Sequence, residues 1–296
     1  MEKQRMSRES FIQLRDFIYE KCGIYLQENK TYFLEDRLQR RLEAINLSGY
    51  DEYIYFVRYD PKGADELREL FNSVTTNETS FFRDSGQLEA FRTGILPGVL
   101  EKKRGPDRVD RTIRVWSAGC STGEEPYTLA MIMAEAGLPL NGWKVDILAS
   151  DISEQVLGSA KRAVYGQYAL RNTGENHLKR YFVNGGGGYG VRPEIRDMVR
   201  FANINLSDSA QMKFIRGMDV IFCRNVLIYF DDNAKRKVVG HFYDSLAEGG
   251  FLVVGFSESL FNLTRAFRPV DVNRCVIYQK VQANTVGGGV CVKMSL

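Results

Sequence analysis

Residues 115–130, VWSAGCSTGEEPYTLA, constrain the fold of this chain more than any other stretch. A β-branched and aromatic run enters a loop of small residues containing Gly119 and Gly123. Beyond the loop the apolar residues recur three and four apart, the period of a helix. A strand that feeds such a loop and leaves as a helix opens a βα unit, and the next residues repeat the pattern. Residues 112–118 (TIRVWSA) read as a strand, 124–137 as a helix closed by glycine, 143–151 (WKVDILASD) as a strand and 153–164 as a helix. Further on come MDVIFCRN, the amphipathic 233–250, FLVVGFSE and RCVIYQKV. This alternation predicts a mostly parallel, doubly wound α/β sheet with helical crossovers.

The preceding region reads differently. Residues 10–70 are helical in period, with LSGY and DPKG as breaks and no convincing strand. The expected organisation is an N-terminal all-α domain over 1–80, a connecting helix or linker over 81–106, an α/β domain over 107–282 and a glycine-rich tail over 283–296. Residues 180–206 break the alternation, with two strand-like runs around the turn NGGGGYG, and are expected to form a small inserted antiparallel β-subdomain.

Composition narrows the classes of function. A net charge of +3 over 296 residues argues for no nucleic-acid partner, which needs a basic face or stripe. Five scattered cysteines form no CxxC pair and no Cys/His group with zinc spacing, so no metal is expected and a reducing compartment fits. The start, MEKQRMSRES, has no apolar segment behind it, and FLVVGF is far too short for a membrane span, which points to a cytoplasmic protein without membrane insertion.

The glycine loop brings a ligand close to backbone N–H groups at a helix start. It lacks the Gly-Lys-Ser/Thr of a phosphate loop, since Glu124 follows Gly123, and it lacks GxGxxG. Two acids beside the loop oppose a phosphate and suit a ligand with positive charge and no phosphate. S-adenosylmethionine has a sulfonium, an ammonium and a ribose diol. The plain structural alternative is a capping box, Thr122-x-x-Glu125, with both acids favouring the helix N-terminus. Asp151 stands at the next strand's end, where an open α/β sheet offers a carboxylate to a ribose; it is equally able to cap a helix, a task Ser153 also suits.

Taken together, SAGCSTGEEPY, ASDIS, TTNETSFFRD and IFCRNVLIYF resemble the motifs of the CheR-type chemotaxis receptor methyltransferases, over roughly residues 10–280. The resemblance implies a Rossmann-like S-adenosylmethionine-dependent domain with an inserted β-subdomain behind an all-α domain. It implies transfer of methyl to receptor glutamates, with S-adenosylhomocysteine as product. Carried over by position, it assigns Asn77, Thr79, Arg83, Glu125, Asp151, Asn205, Leu206, Arg224 and Asn225 to the cofactor, and Arg83 and Tyr229 to the reacting end. Each has a plainer reading: Asn77 and Thr79 as helix caps, Asn205 as a turn residue, Tyr229 as core.

A glutamate with a pKa of about 4.3 is already ionised at neutral pH, so no general base is needed, and neither His177 nor His241 is given a role. In residues 30–45, Leu34, Leu38, Leu42 and Ile45 share one helical arc beside a basic stripe of Lys30, Arg37, Arg40 and Arg41. The stripe is either a solvated face or, as the resemblance implies, a guide for glutamate-bearing receptor methylation helices. The subdomain is a candidate edge for a receptor's C-terminal peptide. A monomer recruited to membrane receptor arrays is expected. The rival is a non-catalytic, methyltransferase-like module that docks to receptors or signalling proteins.

Overall fold

The computed structural model describes residues 5–104 and 111–281. The expected tail at 283–296, with Cys291, and residues 105–110 at the expected junction lie outside the described residues.

Four helices come first: α1 (Arg8–Cys22), α2 (Thr31–Ile45), α3 (Tyr50–Tyr59) and α4 (Gly63–Val74). The Ser7 side chain caps α1 by accepting the Ser10 N–H, and Gly23 ends it in the left-handed region at φ 76°. Leu34, Leu38 and Leu42 of α2 are buried, as the arc predicts, against Phe11, Leu14 and Ile18 of α1. A connection of α5 (Ser85–Ala90), a π-helical turn at Phe91–Ile95 and α6 (Leu96–Lys103) leads into the α/β part.

The strands are β1 (Thr112–Ala118), β2 (Lys144–Asp151), β3 (Val164–Tyr165), β4 (Phe182–Asn184), β5 (Tyr189–Val191), β6 (Val199–Asn203), β7 (Met218–Cys223), β8 (Leu246–Val254), β9 (Phe267–Val272) and β10 (Cys275–Lys280). Between them lie α7 (Glu124–Glu135), α8 (Glu154–Arg162), α9 (Glu175–Tyr181), α10 (Pro193–Arg196), α11 (Ser209–Met212) and α12 (Asp232–Ser245). Seven strands form one sheet in the order β6-β2-β1-β7-β8-β10-β9. The β6-β2-β1-β7-β8 pairs are parallel, and β10 and β9 close the edge antiparallel. Side chains of β1 alternate between two cores, as a period of two dictates. Ile113 and Val115 face one, and Trp116 and Ala118 face the core that the N-terminal helices also enter.

The structure corrects the expected 180–206 subdomain. Its first half holds the hairpin β4-β5, whose third partner is β3, outside that range. Its second half is not hairpin: β6 lies parallel to β2 in the main sheet. The physical reason is Pro193, which starts the short helix α10 and returns the chain to the main sheet after β5.

Candidate active site

The strand order reverses between β1 and β7, where loops leave neighbouring strands in opposite directions and open a crevice. A cavity of about 310 Å³ lies there. The expected residues Asn77, Thr79, Arg83, Glu125, Asp151, Asn205, Leu206, Arg224, Asn225 and Tyr229 all border it, as do Cys22 and Ile24 from the helical part. The size lies at the lower end of the range of small-molecule sites.

Gly119 turns the chain out of β1 at φ +77°, and a Cβ there would lie 2.4 Å from Val226 Cγ2 beyond β7. Both the left-handed backbone and the close approach require glycine. Gly119→Ala is expected to lower stability by about 1–3 kcal/mol. Adding Val226→Ala should restore the steric part, which paired thermal melts would measure.

Asp151 ends β2 and is buried, yet Oδ2 accepts the Ser121 N–H (2.9 Å) and Oδ1 the Ser153 N–H (3.0 Å). Ser153 itself caps α8 through its side chain, which leaves Asp151 free of that task. No cation pairs with Asp151 among the described residues, and burial pushes its carboxyl above the ordinary range against the pull of these backbone donors. The two bonds fix the carboxylate plane and leave further lone pairs for donors in the cavity.

The two acids of the loop part company. Glu125 borders the cavity; Oε1 accepts the Ser117 hydroxyl (2.7 Å) and Oε2 faces Arg224 Nη1 (3.1 Å). Glu124 does not border it, is buried, accepts the Thr122 hydroxyl (2.7 Å), and has its carboxyl pushed up by burial. The capping box is therefore absent, because Glu125 reaches Ser117 and Arg224, and the N-cap of α7 is Gly123 without a side-chain bond. The loop presents one carboxylate to the cavity, and that one shares the Arg224 guanidinium with Asp84.

Arg224 follows β7 and is buried, with Nε on Gln87 Oε1 (2.8 Å), and Nη2 on the Arg83 carbonyl (2.8 Å) and Asp84 Oδ2 (2.7 Å). It ties α7 and the 83–87 segment to the central strand. Gln87 and Asp84 have no signal in the sequence, since their role arises only when α5 meets β7. Arg83 donates to the Glu78 carbonyl (2.8 Å) and pairs with no carboxylate among the described residues.

Neither Asn77 nor Thr79 caps the following helix, whose N-cap is Asp84, with no side-chain capping bond. The Asn205 side chain does serve a turn: Oδ1 accepts the Ser207 N–H (3.0 Å) and Nδ2 donates to the Lys21 carbonyl (2.7 Å). The Leu206 carbonyl faces His241 Nδ1 (2.9 Å). Tyr229 is half-buried, and its hydroxyl has no hydrogen-bond partner among the described residues. Its backbone is anchored by the Tyr25 N–H (2.8 Å) beside an Ile24–Phe230 bridge.

Outside the cavity, Lys30 follows on a short 3-10 turn ahead of α2, and Lys30, Arg37 and Arg40 are exposed. Arg41 departs from the expected stripe: its guanidinium grips Glu66 through Nη2 (2.6 Å) and Nε (3.0 Å). Glu66 is buried between α2 and α3, also accepting the Tyr53 hydroxyl (2.9 Å), and requires that cation.

Among the described residues no helix is long and apolar enough to cross a membrane, and no group of His, Cys, Asp and Glu has the arrangement to hold a metal ion. The family model described as CheR methyltransferase, SAM binding domain, matches residues 77–276, and that of the CheR methyltransferase all-alpha domain matches 9–75. The chain is 35% identical to chemotaxis protein methyltransferase 2 of Vibrio cholerae, covering 91% of this chain and 92% of that protein. It is 34% identical to chemotaxis protein methyltransferase Cher2 of Pseudomonas putida, over 91% and 97%. With the chemotaxis protein methyltransferase of Escherichia coli the identity is 35%, over 90% of each chain. The two matched models span both halves of the molecule, the match over residues 77–276 carrying most of the residues that border the cavity, and the chain belongs to the CheR methyltransferase family.

Proposed function

We propose that this protein forms methyl esters on glutamate side chains of chemotaxis receptors, with S-adenosylmethionine as donor. The observation that carries the reading is one cavity with a carboxylate (Asp151) in its wall that is buried and, among the described residues, cation-free, while a phenol without a hydrogen-bond partner (Tyr229) and an arginine paired with no carboxylate (Arg83) stand elsewhere around it. The donor set fits the cofactor: Asp151 offers lone pairs to hydroxyl donors such as a ribose diol, Glu125 faces an ammonium, and Asn205 and Leu206 border the remainder. When bound, S-adenosylmethionine supplies a sulfonium methyl that a carboxylate oxygen takes in line, leaving S-adenosylhomocysteine.

The chain's own residues then do positioning work. The Tyr229 hydroxyl donates to the incoming carboxylate and orients it, and Arg83 holds a carboxylate of cofactor or substrate. The residues bordering the cavity include no histidine and no lysine among those described, in keeping with a nucleophile that arrives ionised. Apolar walls at Val74, Ile24 and Leu88 limit water where charges of opposite sign combine.

Lys30, Arg37 and Arg40 attract glutamate-rich receptor helices, with Arg41 reserved for Glu66. The small sheet, ordered β3-β5-β4, leaves an outer edge on β3 and on β4 for a receptor's C-terminal peptide. The protein acts as a cytoplasmic monomer recruited to receptor arrays. No observation favours the non-catalytic rival.

Labelled S-adenosylmethionine and a receptor cytoplasmic domain test the reaction. Transfer of label that mild alkali releases as methanol is the expected result; alkali-stable label, or none with the cofactor bound, overturns the ester assignment.

A further inference from the structure

The turn after β7 brings Asn225 and Tyr229 to the cavity, and it is an irregular piece of backbone. Asn225 sits in the left-handed region at φ 60°, and Leu227–Tyr229 form a single 3-10 turn. Two of its N–H groups, those of Asn225 and Ile228, are satisfied by one side chain from another segment, while those of Tyr229 and Phe230 bond within the turn. Glu258, in the loop leaving β8, accepts the N–H of Asn225 (2.9 Å) and of Gly255 (2.5 Å) on Oε2, and the N–H of Ile228 (3.1 Å) on Oε1. A carboxylate taking three backbone donors makes charge-assisted bonds, stronger and more directional than neutral ones.

Gly255 lets the two segments meet. A Cβ there would lie 2.8 Å from the Asn225 nitrogen and 2.6 Å from Glu258 Oε2. Glu258 does not border the cavity, is half-buried, and pairs with no Lys or Arg among the described residues. Its carboxylate is therefore committed to the backbone of the turn. The far end of the same turn is pinned by the Tyr25 N–H on the Tyr229 carbonyl. Between these anchors the Tyr229 side chain has one backbone position from which to present its hydroxyl.

We propose that Glu258 is a positioning residue for Tyr229, acting through the Ile228 N–H immediately before it. The inference rests on the role given to Tyr229 above. Glu258→Gln keeps the shape and one acceptor oxygen. Gly255 and Asn225 together claim that oxygen by number, so the amide NH₂ is turned on the Ile228 N–H, donor against donor. The turn shifts next to Tyr229, while Asp151 across the cavity keeps its own backbone donors.

A double-mutant cycle on the full chain tests this, using Glu258→Gln, Tyr229→Phe and both together. Turnover on a receptor domain is the main readout, with cofactor affinity by calorimetry and the melting midpoint alongside. Glu258→Gln is expected to lower kcat by about 10- to 100-fold while cofactor affinity changes far less. In the Tyr229→Phe background the same substitution should cost little more, because the group it positions is gone. An equal fold-loss in both backgrounds overturns the proposal and leaves Glu258 as a general stabiliser. Tyr229→Phe with undiminished kcat overturns the Tyr229 role and the positioning proposal with it, but leaves ester formation standing if label still transfers. Glu258→Asp retains the charge and shortens the reach; it gives the same comparison if the glutamine variant does not fold.

Discussion

Asp151→Ala is expected to weaken S-adenosylmethionine binding by roughly 10- to 150-fold in titration calorimetry, the loss of about 1.5–3 kcal/mol of hydrogen bonding to a charged acceptor. The substitution also leaves the Ser121 and Ser153 N–H groups without their acceptor, so part of the loss is a loosened glycine loop. Asp151→Asn separates the two contributions, because it retains one oxygen for a backbone donor and removes the charge. Acidity gives a second handle. Burial raises the Asp151 carboxyl above its unfolded value, so the folded, ligand-free protein takes up this proton at a higher pH than the unfolded chain does. Ionised Asp151 is thus a stability cost, fully present above the folded pKa and relieved as pH falls through it. Hydroxyl donors favour the ionised form, so cofactor affinity should fall on acidification at a pH above the ordinary aspartate range. Affinity that is flat across that range, or unaffected by Asp151→Ala, would remove Asp151 from the cofactor site.

Arg224→Met should be the most destabilising single change in the cavity wall, costing about 3–5 kcal/mol. Methionine matches the length and fills the space, but leaves Glu125 and Asp84 without their shared cation and Gln87 without its donor. For a chain of this size that corresponds to a fall in melting midpoint of roughly 10 °C. Arg224→Lys keeps the charge, but a single ammonium cannot span acceptors on α5, α7 and the Arg83 carbonyl, so an intermediate midpoint is expected. Turnover should fall in both, since Glu125 loses its orientation. A methionine variant that melts with the parent would show that the guanidinium contacts contribute no net stability.

The parts legible beforehand were those set by local period or by a strand end. TIRVWSA coincides with β1, and Asp151 lies where the end of β2 delivers it. Ser153 as cap of α8 was one of two open readings, and the structure takes it. The illegible parts depend on meetings between distant segments. Nothing near Glu66 announces that it is buried and will draw Arg41 out of the basic stripe. The pairing of Glu125 with Arg224 likewise engages a carboxylate that looked free on the loop. Strand β6 was misplaced because a short proline-started helix is too brief to show a period, and β9, with Pro269 in an edge strand, was not read as a strand at all.

The bridge between Ile24 and Phe230 gives the molecule an order of assembly. One flank of the cavity comes from the segment after α1, and the other from the turn after β7, which is synthesised much later. The helical part is complete in sequence long before β7 exists, but its cavity-facing edge must wait for that strand and its turn. Until the turn after β7 is made, a nascent chain has Ile24 without its bridge partner and no complete ligand chamber. Ligand occupancy reports the meeting of the two flanks, and a saturating ligand would hold them together by mass action.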